Sequence, residues 1–462
     1  MIDCARVMEQ HSYYFALIEF MRDWGMNTLL FHFSDNQGCG VELPGFKRLA
    51  TRHAFTAREI RALMAHAARH GVRLIPEIEV FGHTRYITDR PEYAHLYAGK
   101  KTRRLKFNAL DPLSAETHRL VKQLIRATVR LFESDYVHLG CDEVDLAQFC
   151  EQRNIAVEKT WAGYVNEVIG YAHETGSMPM IWADHPARSP RIARLLRKDV
   201  VLVYWNYEVR PPRGQLPALR AAGFDRIVDA PSLACYHSRF HPTRRNFTNT
   251  ERLVTQGLKH GTEGTINTIW CPMRYVQAAM YYGIAYSAEF VRAGGQRNLR
   301  RLRTRFAKRV LGARLTAPLN RFLAHWPDAD LPRLVAQKIL KKNYTLTAQE
   351  RATLRASRRA AELCITQAAR VEPTKNHGVW NAMRLSVNAA WVCCEGLLLA
   401  ADKRAGQARR AHYRRMLKAV RSNLAAEWDA TRFADDPLKR RPAFPGADYG
   451  YALLIVRALP QP

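Results

Sequence analysis

Residues 139–145 read LGCDEVD, so Asp142 and Glu143 stand side by side at the end of the apolar run 136–139. Two adjacent carboxylates can divide acid–base work. One keeps a proton to give to a leaving group, and the other stays ionised to steady a developing positive charge. Each also raises the other's pKa, which helps to keep one of them protonated near neutrality. A plainer reading makes the pair a cap on the following helix. Five more acids, Asp35, Glu77, Glu79, Asp184 and Glu208, likewise fall at or just after the ends of apolar runs. A buried strand with no chemical task has no reason to end in an acid so often. The pattern therefore describes a pocket lined with carboxylates. No His/Cys/Asp cluster at metal-ligand spacing and no phosphate-cradling glycine loop accompanies it, so neither metal nor organic cofactor is expected.

Eight short apolar or β-branched runs position these acids: 1–4, 28–33, 74–79, 136–139, 179–182, 200–205, 226–229 and 265–270. Stretches of helical period lie between them, among them 13–24, 57–70 and 115–132, with Thr56 and Ser114 placed as N-caps. Strand–helix repetition implies a parallel sheet, and eight units predict a (β/α)8 TIM barrel over residues 1–295. Barrel active sites occupy the C-terminal ends of the strands, where these acids fall. Beyond residue 296 the strand texture stops. The stretches 298–312, 317–341, 347–370, 380–404 and 406–430 read as helices, giving a helical C-terminal region over 296–462.

The chain has 462 residues, 47% of them hydrophobic and 24% charged, a soluble globular composition. The longest apolar stretch, 389–401, is interrupted by Glu395 and reads as a core helix rather than a membrane span. Nine cysteines without a CxxC pair read as reduced thiols. The start MIDCARVMEQ lacks a basic segment followed by an apolar run. The expectation is therefore a cytoplasmic protein, or a true start upstream. The net charge of +29 is spread over many segments without interleaved aromatics. It reads as a solvated Arg-rich surface before a nucleic-acid footprint.

Four segments in order resemble glycoside hydrolase family 20, the β-N-acetylhexosaminidases: MIDCAR (1–6), GMNTLLFHFSDNQGCGVEL (25–43), HGVRLIPEIEVFGHT (70–84) and LDPLSAETHRLVKQLIRATVRLFESDYVHLGCDEV (110–144). The resemblance covers roughly residues 1–290. It implies hydrolysis of terminal β-linked GlcNAc or GalNAc from a glycan, with the sugar's own 2-acetamido oxygen as nucleophile. This is the substrate-assisted exception to the two-carboxylate rule. By resemblance Asp142 orients the acetamide and Glu143 donates the proton. Asp35 and His83 form a relay behind Glu143. Arg6 grips ring hydroxyls, and Glu79 supports the pocket floor, with Glu77 and His138 behind the contacting residues. Trp182, Trp205 and Trp270 wall the acetamide pocket, Tyr236 donates to the acetamide oxygen, and Asp184 and Glu208 hold hydroxyls.

The sequence departs from the family pattern at several places. Cys141 replaces a Gly before the acid pair, Phe81 a Pro, Asn36 an Asp and Cys39 an aromatic. Pro272 stands where a sugar-binding Glu is expected, which leaves gluco against galacto preference open. The small α+β domain usual before the barrel has no counterpart ahead of residue 1. Two other readings stay open: a catalytically silent sugar-binding or scaffold protein on the same barrel, and an anionic-polymer binder using the +29 surface.

Overall fold

Each apolar run becomes a strand because its side chains can be buried on both faces of a parallel sheet. The computed structural model describes residues 1–99, 109–236, 239–402, 404–433 and 451–460. The strands are β1 (Ile2–Asp3), β2 (Thr28–His32), β3 (Arg73–Glu77), β4 (Tyr136–His138), β5 (Met178–Trp182), β6 (Val201–Trp205), β7 (Ile227–Ala230) and β8 (Thr268–Ile269). All neighbouring pairs from β1 to β7 are parallel, and β8 pairs with β1 through Ile2 and Ile269. The circle closes where Ile266 N–H donates to the Asp229 carbonyl and Thr268 N–H to that of Pro231, both at 2.9 Å. The (β/α)8 barrel expected from the sequence is the fold observed.

Register matters more than strand length here. Asp3 lies beside His32, His32 beside Glu77, and Glu77 beside His138. Residues level with each other on adjacent parallel strands point to the same face. Four neighbouring strands thus carry one row of alternating acids and imidazoles, all fully buried.

The outer helices of this unit include α1 (His11–Asp23), α2 (Ala57–Arg69), α3 (Ala115–Phe132) and α4 (Val157–His173). Thr56 caps α2 in a full capping box with Glu59, and the Ser114 hydroxyl accepts from Thr117 N–H at the start of α3. Such a cap contributes about 1 kcal/mol. On α3 the residues Leu120, Val121, Leu124, Ile125, Thr128 and Leu131 form one buried stripe at helical spacing. The Tyr164 hydroxyl on α4 donates to the Val80 carbonyl at 2.8 Å and so ties the loop after β3 to the helix layer.

The described residues form two compact units: one of Met1–Ser232 with Glu251–Ile269, the other of Leu233–Thr250 with the residues from Trp270 onward. The second unit is helical: α5 (Met280–Arg292), α6 (Leu299–Arg309), α7 (Ala317–His325), α8 (Arg333–Leu340), α9 (Ala348–Ala368), α10 (His377–Ala400), α11 (Gln407–Thr431) and α12 (Tyr451–Arg457). The stretch 317–341, read as one helix, is two. A 3-10 turn at Trp326–Asp328 follows α7, and α8 begins only at Arg333. Pro327 and Pro332 cause the break, since proline cannot donate within a helix and restrains the residue before it. α12 is not anticipated by the sequence reading.

Helix α10 is long and apolar enough to cross a membrane by composition, but 89% of its apolar window is buried. Its one acid, Glu395, is neutralised by Arg358 at 2.9 Å and Arg409 at 2.6 Å. It is a core helix. All nine cysteines carry free thiols; eight are buried and Cys271 is half-buried.

Candidate active site

The acid pair sits on a turn that only close backbone approach can build. Leu139 N–H donates to the Met180 carbonyl at 2.8 Å, and the Gly140 carbonyl accepts from Trp182 N–H at 3.1 Å, so the ladder runs past β4. The chain then bends through positive φ at Gly140 (67°), Cys141 (71°) and Glu143 (51°). A Cβ on Gly140 would overlap the Glu79 carboxyl, and one on Gly82 would overlap the Asp142 carbonyl. The loops after β3 and β4 are therefore pressed together. The loop after β5 grips the turn from the other side. Glu143 N–H donates to Asp184 Oδ2 at 3.2 Å, and Val144 N–H to His185 Nε2 at 3.1 Å.

This turn gives the two carboxyls unlike surroundings. Asp142 is 8% exposed, whereas the Glu143 side chain is 37% exposed. Burial first, then the nearby charges of Asp184 and Glu143, push the Asp142 carboxyl up to about 7, against the opposing pull of His83. At Asp142 burial outweighs the repulsion between the two acids as the cause of the upward shift. Asp184 is likewise raised, to about 6, chiefly by burial.

His83 stands between the acids and the strand-two loop. Its Nδ1 is 3.3 Å from Asp35 Oδ1, and its Nε2 is 3.5 Å from Glu143 Oε2 and 3.8 Å from Asp142 Oδ2. Burial would depress the imidazole, but Asp35 and Asp142 hold it well above the ordinary histidine value. Asp35 is the anchor. Burial would raise it, yet Arg6 at 2.7 Å, His83 and His32 at 3.0 Å keep its carboxyl well below the usual range. Asn36 joins here: its side-chain nitrogen is 3.3 Å from His83 Nδ1, and its oxygen accepts Arg85 N–H. Arg6 is in turn held by Asp3 at 2.8 Å, so the guanidinium spans two buried carboxylates.

Beneath these lies the buried row set by strand register. Glu77 accepts from Trp182 Nε1 at 2.6 Å and lies 3.1 Å from His32 Nδ1. Burial opposes ionisation of Glu77, but the His32 charge and the hydrogen bonds from His32 and Trp182 bring its pKa below the usual value. Burial would lower His32, but Glu77 and Asp35 raise it well above 6.5. His138 is lowered to about 4 by burial and is neutral, its Nδ1 accepting Gly140 N–H at 3.1 Å. Burial and the Asp142 charge push the Glu79 carboxyl well above its ordinary value under the turn. By spacing, His32, Glu77 and Glu79 could hold a cation. Yet both His32 nitrogens already face carboxylates, which favours a protonated imidazole over a ligand.

The structure brings Arg6, Asp35, Glu79, His83, Asp142, Glu143 and Asp184 together. Trp182 adjoins them but is fully buried, its indole engaged by Glu77. Trp205 ends β6, with the Arg188 guanidinium 5.7 Å from its ring centroid and Tyr207 at 5.0 Å. Glu208 is exposed, its N–H donating to Asn206. Tyr236 and Trp270 belong to the second unit. Tyr236 is 38% exposed, and Trp270 N–H donates to the Ala234 carbonyl. Sequence reasoning does not single out Asp3, His32 or His185. A signal existed for Asp3, three residues before Arg6; none existed for the other two, whose partners come from register and loop contact.

The family described as glycosyl hydrolase family 20, catalytic domain, matches residues 1–274. A β-hexosaminidase of Vibrio furnissii is 28% identical over 31% of this chain and 28% of its own. A lacto-N-biosidase of Bifidobacterium bifidum is 26% identical over 36% of this chain and 16% of its own. This chain thus spans under a third of the length of either relative. Among solved structures, a β-N-acetylhexosaminidase superposes with a TM-score of 0.52 at 15% identity, covering 68% of this chain and 77% of that one. The Flavobacterium johnsoniae chitobiase gives 0.50 at 14%, over 91% and 74%. At such identities these likenesses speak for the fold.

Proposed function

Because the chain belongs to glycosyl hydrolase family 20, we propose that it is a retaining exo-β-N-acetylhexosaminidase that removes terminal β-linked GlcNAc or GalNAc by substrate-assisted catalysis. The observation that carries this reading is the placement of His83 between Asp35 and both members of the acid pair. A mere sugar binder has no use for such a chain of proton-holding groups.

In this mechanism the acetamide oxygen of the bound sugar attacks the anomeric carbon as the glycosidic bond breaks. Buried Asp142, once ionised, accepts the acetamide N–H and stabilises the positive charge of the oxazolinium ring. Glu143, the more open acid, protonates the leaving oxygen, then takes a proton from the water that reopens the ring. His83 faces Glu143 through Nε2 while Asp35 fixes its other nitrogen, which holds the imidazole in one orientation. The buried row of Asp3, His32, Glu77 and His138 keeps Arg6, Asp35 and Trp182 in place.

The test is release of p-nitrophenol from the β-GlcNAc and β-GalNAc glycosides, with a thiazoline mimic of the oxazolinium as inhibitor. Glu143→Gln and Asp142→Asn should each reduce kcat by about 10²-fold or more, and the thiazoline should block the wild type. Saturable thiazoline binding without turnover would mean a requirement for a particular aglycone. Neither turnover nor binding would sink the hydrolase reading in favour of a silent scaffold.

A further inference from the structure

The second unit contains a cleft of about 970 Å³ whose walls come from α6, the start of α7 and the segment around Lys375. Five of its lining residues are cations, Arg300, Arg303, Lys308, Arg314 and Lys375, and none is an acid. Helix α6, LRRLRTRFAKR, carries six basic residues in 11 and no carboxylate. Like charges at (i, i+4) and (i, i+3) destabilise a helix unless something answers them.

On one side of α6 something does. Glu289 of α5 holds Arg301 at 2.9 Å and Arg305 at 2.8 Å, as well as Arg292 at 2.7 Å. On the cleft side the arrangement differs. Arg303 donates to Asn320 Oδ1 at 3.1 Å and so joins the two walls. Arg300, Lys308, Arg314 and Lys375 are exposed, and their side chains form no hydrogen bond or ion pair among the described residues. Four unpaired cations thus converge on one concavity. The N-terminus of α7 opens into it as well, with Thr316 as cap and Ala317 as first residue, and adds its partial positive charge.

We infer that this cleft binds a sulfated oligosaccharide, with Arg300, Lys308, Arg314 and Lys375 each meeting a sulfate ester. A polyanion is required by the charge, since only spaced negative groups answer four separated cations. The choice of a glycan over a nucleic acid rests on the hydrolase reading above and on the lining itself. The cleft presents no aromatic ring on which an unpaired base could stack. The cleft would then retain anionic stretches of the glycan whose neutral ends the barrel trims.

The test reads binding by calorimetry on the full chain, independently of turnover. The probes are a heparin-derived octasaccharide, its desulfated form and a short DNA duplex. Two charge-matched variants are compared: Arg300→Gln/Lys308→Gln/Arg314→Gln/Lys375→Gln in the cleft, and Lys47→Gln/Arg58→Gln/Arg61→Gln/Arg194→Gln on the barrel unit. The expected result is saturable 1:1 binding of the sulfated probe, weakened about tenfold or more by the cleft variant and under about threefold by the other. The cleft variant should keep its turnover of a neutral glycoside. Equal weakening by both variants would overturn the proposal as non-specific charge. Equal or tighter binding of the duplex, lost in the same variant, would overturn it in favour of nucleic acid. Absence of sulfated-probe binding beside normal turnover sinks this inference alone. Binding of the sulfated probe beside absence of both turnover and thiazoline binding sinks the hydrolase reading instead.

Discussion

The two neighbouring carboxyls of the turn differ by burial more than by chemistry. In the proposed mechanism Asp142 has to be ionised to receive the acetamide N–H, and its pKa of about 7 would set when that happens. In the free enzyme kcat/KM should therefore fall as the pH drops below about 7. Asp184 is one of the like charges that hold Asp142 up, so Asp184→Asn should move this acid limb to lower pH in a pH–rate profile. An unmoved limb would assign it to another group. The linkage has a definite sign. A carboxyl raised on folding costs stability once the pH exceeds its unfolded pKa, because the folded state then holds a proton more tightly than the unfolded one. From 3.8 to about 7 the cost reaches roughly 4 kcal/mol at about 1.4 kcal/mol per unit. Asp142→Asn should accordingly stabilise the protein at pH 8 and change little at pH 4, as read by urea denaturation. The sequence made the pair legible as chemistry. It did not reveal the burial of Asp142, which depends on Gly140 packing against Glu79.

At the scale of elements, the turn after β4 and the row beneath it explain what could be read in advance. The strands were visible because both faces of a barrel strand are apolar over most of its length, and the acids at their ends broke that pattern. The row Asp3, His32, Glu77 and His138 was not visible as a unit. It exists only through register, which no single strand encodes. The helix break at Pro327 and Pro332 was overrun by a persistent apolar period. Cys141 at φ 71°, like Glu143 at 51°, is a strained point of the turn. Cys141→Gly relieves the backbone but removes a buried side chain, so its effect on stability should be within about 1 kcal/mol, with turnover kept. Cys141→Val places a β-branched residue in the left-handed region and should cost about 2 kcal/mol or more, with turnover falling as the acid pair shifts. Thermal unfolding of both variants checks this, and a harmless valine would show that the turn relaxes.

For the molecule as a whole, charge is segregated. The chain carries +29, yet the described active-site cluster is rich in carboxyls and buried. Surface charge is screened over about 8–10 Å at ordinary ionic strength, while buried pairs are screened far less. Raising salt from 0.05 to 0.5 M should change kcat/KM on a neutral glycoside by less than about twofold while stripping bound polyanion. A large salt effect on the neutral substrate would mean that the surface field reaches the site. The sequence offered the net charge but could not show that four cations share one cleft, because Lys375 lies some 70 positions from α6 in the chain.

The burial of eight thiols out of nine gives the protein a gauge of its own integrity. An alkylating reagent has ready access only to Cys271 while the fold is intact, and to all nine once it opens. Mass spectrometry of a short labelling pulse would therefore count folded and opened molecules in one sample, without a dye, a tag or an added reporter.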